Sequence, residues 1–208
     1  RADVIVDKSI PENIHLDNYR DFALYFQDED NIIGTAFMPY LQNIAGLTGV
    51  NYRLEPWSYR QDKGCELGNV FTPCVAADKD PATPTLKAHT GDKVMVNVFG
   101  AHNEQNQMFN VDGHQWRRHI NQENSDMIDV EEFGAGEHIQ AFMKAGGTYN
   151  NPGTYLWLNA RTPYQQAGQW GYFKVLPSGD RSILPLQGTG TGGSTASIVG
   201  DDKLSMNK

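Results

Sequence analysis

Several features that often reveal a protein's function are scarce or absent in this sequence. It has 2 cysteines and 6 histidines among 208 residues, and the loop that holds both cysteines offers fewer closely spaced thiolates and imidazoles than a structural zinc site uses. Its longest apolar runs fall far short of the roughly 20 residues that span a bilayer. Basic side chains are outnumbered 17 to 25, which gives a formal net charge of -8. This excess of negative charge argues against nucleic acid and anionic membranes as partners.

Familiar catalytic signatures are also absent. The sequence contains no G-x-S-x-G, P-loop or H-E-x-x-H motif, so hydrolase and nucleotide-binding functions have no motif to support them. Arg1 is preceded by neither a methionine nor a signal peptide, and we therefore expect a processed chain or a fragment. A length of 208 residues with 21 glycines and 39% hydrophobic residues favours a loop-rich all-β protein of one large or two small domains.

The two cysteines, Cys65 and Cys74, lie in one segment that Gly64, Gly68 and Pro73 mark as a loop. A disulfide between them would close a short ring and would indicate an extracytoplasmic location, whether periplasmic, cell-surface or secreted. Two free thiols are the alternative. We favour the disulfide.

Period-two alternation of apolar residues predicts most of the secondary structure. Phe22, Leu24 and Phe26 alternate with other side chains in 19–28, and the aromatic segments 154–158 and 171–176 close the pattern. Some eight short strands separated by turn residues are typical of a β-sandwich or barrel with little helix. The further predicted strands are 49–53, 94–98, 108–111, 128–130 and 137–143.

Residues 83–116 form the centre of the predicted fold. Thr90-Gly91-Asp92 is a turn, after which a strand leads to a polar loop at His102–Gln107 and then to a second strand. We predict that the two strands form a hairpin, with Asp112-Gly113 turning the chain beyond it.

We expect three parts along the chain: an N-terminal extension at 1–18, a β-domain at 19–176 and a Gly/Thr/Ser-rich tail at 177–208. Val4-Ile5-Val6 is either a linker or a short edge strand. In the tail, GTGTGGSTAS separates apolar residues 183–186 from Ile198-Val199. These apolar pieces either dock on a neighbouring chain or lie across their own domain, and we favour the second.

Four pieces of sequence, in order, resemble the cupredoxin domain that ends a multicopper oxidase. They are FALYFQDED, GVNYRLEPW, TPTLKAHTGDKVMVNVFGAHNEQNQMFNVDGHQW and NNPGTYLWLNARTPYQQAGQWGYFKVL. NYRLEPW resembles the large bacterial members of the superfamily, some of which are manganese oxidases. The resemblance implies a cupredoxin-like Greek-key β-sandwich from about residue 22 to residue 176.

The family binds copper through H-P-x-H-L-H-G-H and through H-C-H, three residues, H, three residues, G-M. Aligned on GHQW and QAGQWG, this sequence matches only His114, a position that is usually not a copper ligand. The blue-copper centre needs a cysteine thiolate and imidazoles, and neither occurs at the aligned ligand positions. Those positions hold Gln107, Asn110, Asp112, Leu158, Asn159, Ala160, Tyr164 and Gln169.

The resemblance therefore implies a domain that has lost its copper ligands and serves structure or assembly, with no catalytic residue and no cofactor expected. Its expected partners are other domains or chains of a multicopper oxidase-like assembly, or further copies joined through the termini. The alternative is a subunit or fragment of an active copper-dependent oxidase, of the Mn(II) or phenol type, or a copper-binding protein.

A different metal site is the remaining candidate. His102, Asp112, His114 and His119 cluster in sequence, and imidazole with carboxylate suits copper or zinc. Two arginines follow Trp116, and their positive charge opposes a cation. We therefore expect no metal at this cluster.

The other polar and aromatic residues have plainer interpretations. We interpret His138 as a satisfied strand histidine, and we place His15 and His89 in polar turns. The acidic run at Asp28-Glu29-Asp30 is predicted to be a solvated turn, with weak calcium binding as the alternative. The tryptophans at 57, 116, 157 and 170 are predicted to lie in the core.

Overall fold

The computed structural model describes residues 1–11, 17–28, 48–72, 80–103 and 105–187, with His102 described by its backbone alone. His15 and Ile198-Val199 lie outside these ranges. Within them the chain is built of strands with two short helices, which confirms the all-β prediction.

The helices are α1 (Trp57–Asp62) and α2 (Thr162–Ala167), and Leu67–Asn69 form a 3₁₀ turn. The strands are β1 (Ala2–Val4), β2 (Tyr19–Asp28), β3 (Thr48–Val50), β4 (Leu86–His89), β5 (Lys93–Asn103), β6 (Gln107–Val111), β7 (Trp116–Arg117), β8 (Met127–Ile128), β9 (Val130–Phe133), β10 (His138–Lys144), β11 (Gly153–Asn159) and β12 (Trp170–Leu176).

The strands form two sheets that face each other. The first has the order β1-β2-β5-β10, with β3 also paired to β2, and the second has the order β4-β12-β11-β6-β9. The β2/β5 and β4/β12 pairs are parallel, while the other pairs in these sheets are antiparallel. Strands β7 and β8 form a separate two-stranded ribbon. The arrangement is a β-sandwich with mixed sheets.

The predicted central hairpin is wrong, because β5 and β6 lie in different sheets. Strand β5 continues to Asn103, which pairs with Asp28 of β2, and the chain has reached the other sheet by Gln107, where β6 begins. This crossing lets Val98 of β5 and Phe109 of β6 reach the same core from opposite sides, both with 0% exposure. Alternation along each strand was visible in the sequence, but the sheet to which each strand belongs was not.

The core lies between the sheets and is supplied by the alternating residues predicted for it. Phe22, Leu24 and Phe26 of β2 point inward, and each such burial contributes about 1.5–3 kcal/mol. Three of the four tryptophans, Trp116, Trp157 and Trp170, are completely buried. Trp57 is partly buried and packs on a smaller cluster around Trp170.

Both ends of the described chain pack on the sandwich. Strand β1 forms an edge of the first sheet, so the N-terminal apolar stretch begins as an edge strand. Beyond β12, Leu186 is 3% exposed whereas Leu184 is 72% exposed. The apolar segment 183–186 therefore lies across its own domain, which was the favoured alternative.

Candidate functional site

Four of the eight aligned ligand positions come together at one end of the sandwich. Gln107 begins β6, Asn159 ends β11, Tyr164 lies in α2 and Gln169 precedes β12. Strands β6 and β11 are antiparallel neighbours, which brings the first two side chains side by side. The α2 turn folds back so that the last two reach the same place.

Gly168 makes this return of the chain possible. It ends α2 in the left-handed region, with φ of 112°, where glycine has no Cβ penalty. A Cβ there would lie 2.5 Å from the backbone nitrogen of Glu55. Glycine fits both the positive φ and the close approach to Glu55. The chain can therefore reverse direction immediately after α2 and place Gln169 beside Asn159.

The side chains of Gln107, Asn159 and Gln169 form a hydrogen-bonded amide cluster, and each residue is 0% exposed. The Asn159 side-chain amide donates to Gln107 Oε1 and, at 2.7 Å, to Gln169 Oε1. Asn159 Oδ1 accepts the backbone N–H of Arg161 at 3.1 Å. Asn159 therefore uses its donors and its acceptor at once, as a buried amide must.

Asp28 extends the cluster to the opposite sheet. Its carboxylate, in a residue 5% exposed, accepts bonds from Gln107 Nε2 at 2.7 Å, the Tyr164 hydroxyl at 2.9 Å and the backbone N–H of Gln105 at 3.2 Å. The solvated acidic turn predicted at 28–30 is thus wrong for Asp28, while residues 29 and 30 lie outside the described ranges. Three donors replace the water that a buried carboxylate loses.

Gln169 makes a second link between the sheets. Its Nε2 donates to the backbone carbonyl of Gln27 at 2.8 Å and lies 2.9 Å from the hydroxyl oxygen of Thr48, which accepts its other hydrogen. Gln27 and Thr48 belong to paired strands of the first sheet, whereas Gln169 adjoins the second. We call Asp28, Gln107, Asn159, Tyr164 and Gln169 the polar network.

The environment of Tyr164 suits a neutral phenol. Burial, reinforced by the bond to the Asp28 carboxylate, raises the pKa of Tyr164 to about 12. Ionising this hydroxyl would place two negative charges together and remove a donor from Asp28. The phenol therefore acts as a fixed hydrogen-bond donor.

The donor set of the polar network does not fit a blue-copper centre. It offers carboxamides, a phenol and one carboxylate, without the thiolate and imidazoles that such a centre requires. Its amide nitrogens and oxygens are committed to one another. Hydrogen bonds, and no metal ion, thus account for the meeting of the four aligned residues in this network.

The other aligned positions lie apart from the polar network. Leu158 packs in the smaller hydrophobic cluster, with Ala160 against it. Asn110 points away and donates to the backbone carbonyl of Asp129 at 2.8 Å. Asp112 lies in the turn after β6, next to His114.

His114 is a structural residue by its contacts. Its Nδ1 lies 2.8 Å from the carbonyl of Asp112, and its Nε2 accepts the backbone N–H of Gly146 at 3.1 Å. This pattern requires a neutral ring with the proton on Nδ1. Burial lowers the pKa of His114, and no ring nitrogen is left to bind a metal.

Of the other candidate metal ligands, Asp112 lies beside His114, which contacts its backbone carbonyl. His119 is exposed in the loop after β7, and the side chain of His102 lies outside the description. Partial burial of the Asp112 carboxyl group raises its pKa. Among the described residues, no group of three or more His, Cys, Asp or Glu side chains is placed to hold a metal ion.

A second polar centre, around Arg20, was missed in the sequence. Arg20 is 0% exposed and donates from Nε to Asp92 at 2.5 Å and from a terminal nitrogen to the Leu184 carbonyl at 2.8 Å. His89, placed in a polar turn from the sequence, is instead buried in β4. Its Nδ1 faces Arg20 at 3.2 Å and its Nε2 faces the Asp180 carbonyl at 2.8 Å. This centre joins β2, β4 and the segment after β12.

The predicted disulfide stays a prediction. Cys65 is 5% exposed, just beyond α1, and Cys74 lies outside the described residues. Within the described part of the chain there is no free cysteine.

No family model and no curated protein matches this sequence. Among solved structures, the copper nitrite reductase from Nitrosomonas europaea is similar with a TM-score of 0.51 and 14% identity, over 75% of this chain and 48% of that one. A multicopper oxidase from Campylobacter jejuni is similar with a TM-score of 0.49 and 14% identity, over 77% of this chain and 31% of that one. The McoA multicopper oxidase 2F4 variant from Aquifex aeolicus is similar with a TM-score of 0.48 and 10% identity, over 85% of this chain and 32% of that one.

The likeness to the nitrite reductase supports a cupredoxin-like β-sandwich, as the resemblance implied. At 14% identity it concerns the fold alone. This chain spans less than half the length of each of the three structures. In the described part of the chain, no helix has the length and apolarity to cross a membrane.

Proposed function

We propose that this chain is a non-catalytic, extracytoplasmic cupredoxin-fold domain of a multicopper oxidase-like protein, and that it serves structure or assembly. The observation that supports this proposal most directly is the polar network. Gln107, Asn159, Tyr164 and Gln169 occupy aligned ligand positions and satisfy one another and Asp28 by hydrogen bonds. A site whose polar atoms are already paired has no free ligand to offer a copper ion.

In this proposal the polar network links the two sheets at one end of the sandwich by hydrogen bonds, without a metal ion. Asp28 and Thr48 belong to the first sheet, while Gln107 and Asn159 belong to the second. Buried, fully satisfied networks are rigid and specify one arrangement of their elements. The domain can then keep its shape without a cofactor.

Assembly with other chains or domains is the second part of the proposal. Strands β1 and β10 lie at the ends of the first sheet's main path, and sheet edges are places where another chain can add a strand. The predicted Cys65–Cys74 disulfide supports the extracytoplasmic location. The finer assignment to the manganese-oxidase-like branch rests on the NYRLEPW resemblance.

Copper loading tests the proposal directly. The full chain is incubated with copper, its visible spectrum is recorded, and oxygen uptake is measured with a phenolic substrate and with Mn(II). We expect neither an intense band near about 600 nm, the mark of a trigonal copper–thiolate site, nor sustained oxygen uptake. Either signal from the unmodified chain would show the proposal to be wrong and would favour the copper-oxidase alternative.

A designed variant serves as the positive control. The combined substitutions Gln107→His, Asn159→Cys, Tyr164→His and Gln169→Met restore the expected donor types at positions that the structure brings together. A band in this variant, absent from the unmodified chain, would show that the residues and not the assay account for the result. Light scattering of the unmodified chain at several concentrations then tests self-association, with a rising mass expected if the termini or edges join copies.

A further inference from the structure

A pocket of about 820 Å³ opens beside β10, between the turn after β6 and the β7–β8 ribbon. We propose that it binds an amphiphilic organic anion, a molecule with one anionic head group on a compact apolar body. The inference does not depend on the proposed function, because the pocket shares no side chain with the polar network. Its size lies within the range of roughly 300–1,000 Å³ typical of small-molecule sites.

Apolar residues from several elements are among those that line the pocket. Val111 comes from β6, Ile120 and Met127 come from the loop and ribbon, and Phe142 and Met143 come from β10. These residues belong to three separate parts of the fold, so the cavity is a junction between elements. Such a wall favours an aromatic or aliphatic ligand body.

Two lysines supply the charge that selects an anion. Lys93 of β5 and Lys144 of β10 are direct partners in the antiparallel pair, and both line the pocket. Directly opposed side chains point to the same face, and like charges in that position repel. Both lysines are partly buried, and neither has a carboxylate partner in any ion pair found among the described residues.

An anion between these two lysines would relieve their repulsion. Arg117 adds a third positive charge to the wall, and its position is fixed by bonds to the backbone carbonyls of Glu123 and Ser125. Asp112 and Asp129 also line the pocket, so cationic side chains outnumber acidic ones there by one. On a chain of net charge -8, this is a local reversal of sign that steers anions to the pocket.

His114 contributes shape and not charge. It lines the pocket, but its ring nitrogens are engaged by Asp112 and Gly146. The ligand therefore meets a neutral ring there, and the lysines remain its main charged contacts.

The test uses 1-anilinonaphthalene-8-sulfonate, a sulfonate on an aromatic body whose fluorescence rises in apolar surroundings. We expect saturable, one-site binding to the folded full chain, weakened by added salt. Hexanoate should displace the probe, whereas inorganic phosphate at equal ionic strength should displace it poorly because it lacks the apolar body. N-phenyl-1-naphthylamine, the uncharged analogue, should bind more weakly than the sulfonate.

Paired variants locate the site. Lys93→Gln with Lys144→Gln should raise the probe's dissociation constant about tenfold, because two cationic contacts are lost. Lys87→Gln with Lys174→Gln is the matched control: these lysines are also strand partners and lie outside the pocket, and we expect a change below about twofold. Thr148→Trp should block the cavity while keeping both lysines.

Thermal unfolding of each variant shows whether it is folded. Loss of binding in the Lys93/Lys144 variant and in the folded Thr148→Trp variant, with retention in the control, would support the proposal. No saturable binding to the unmodified chain would overturn it. Equal affinity in the Lys93/Lys144 variant and the Lys87/Lys174 control would overturn it as well.

Discussion

The Tyr164 hydroxyl donates a hydrogen bond of 2.9 Å to the carboxylate of Asp28, across 136 positions of sequence. One residue belongs to a short helix after β11 and the other ends β2 in the opposite sheet. This bond and the amide cluster beside it join the two halves of the sandwich. It also fixes the protonation state of the tyrosine, since the donor must keep its proton.

The first prediction concerns alkaline stability. With the folded pKa of Tyr164 at about 12 against an ordinary tyrosine pKa of 10.0, the unfolded chain loses this proton first as the pH rises. Stability should therefore be intact below pH 10 and should fall between about pH 10 and 12. In Tyr164→Phe the free energy of unfolding should fall less steeply over this pH range, and at neutral pH it should be lower by about 1 kcal/mol than in the unmodified chain. Urea unfolding at several pH values measures both effects; an unchanged slope would contradict the prediction.

The second prediction concerns Asn159. Asn159→Asp removes the donor to two glutamine oxygens and buries a carboxylate beside them, so we expect a loss of about 2–4 kcal/mol at neutral pH. Burial should raise the pKa of the new carboxyl group. Part of the loss should therefore be recovered as the pH falls and the group becomes a neutral donor.

Asn110→Asp is the matched control for Asn159→Asp. Asn110 is only partly buried, and its side chain donates a hydrogen bond to the Asp129 carbonyl, so its replacement should cost about 1 kcal/mol or less. Chemical denaturation measures the free energy of unfolding of both variants. Equal losses would contradict the prediction that the amide cluster contributes more to stability than a single partly buried hydrogen bond does.

The third prediction concerns acid stability. Burial lowers the folded pKa of His114 below the ordinary histidine pKa of 6.5, so the unfolded chain takes up this proton first as the pH falls. The contribution of neutral His114 is present above about pH 6.5 and is lost as the pH falls toward the folded value. His114→Gln should be less stable than the unmodified chain at pH 8 and should depend less on pH below 6.5. His119→Gln, at an exposed position, should retain the full pH dependence in the same denaturation series.

The fourth prediction separates two neighbouring leucines in the segment after β12. Leu186 is 3% exposed and Leu184 is 72% exposed, although the sequence offered no reason to distinguish them. Leu186→Ala should cost about 2–4 kcal/mol, and Leu184→Ala should change stability by less than about 0.5 kcal/mol. If the segment docked on another copy instead, stability would depend on protein concentration.

The fifth prediction concerns Cys65 and Cys74. A disulfide between them should leave no thiol to alkylate without reductant, as intact mass would show. Its reduction should cost about 2–3 kcal/mol by the loop-entropy estimate. Two alkylated thiols in the untreated chain would contradict the pairing.

Alternation in the sequence was enough to identify strand β2 and its inward side chains. The same alternation places Arg20 and Asp28 on the inward face with Phe22, Leu24 and Phe26. The charge of Asp28 led us to expect solvent at the end of this strand, because a single strand does not show its partners. The structure supplies Asp92 for Arg20 and Gln107 with Tyr164 for Asp28, and those partners make the burial of charge possible.

By itself the sequence determined the all-β class and the lack of thiolate and imidazole at the aligned ligand positions, because these follow from local alternation and residue chemistry. Only the tertiary structure decided that β5 and β6 lie in opposite sheets and that the side chains at 107, 159, 164 and 169 meet around Asp28. It also brought Lys93 opposite Lys144. The physical reason is that strand pairing and sheet packing are long-range choices, set by how whole faces bury one another.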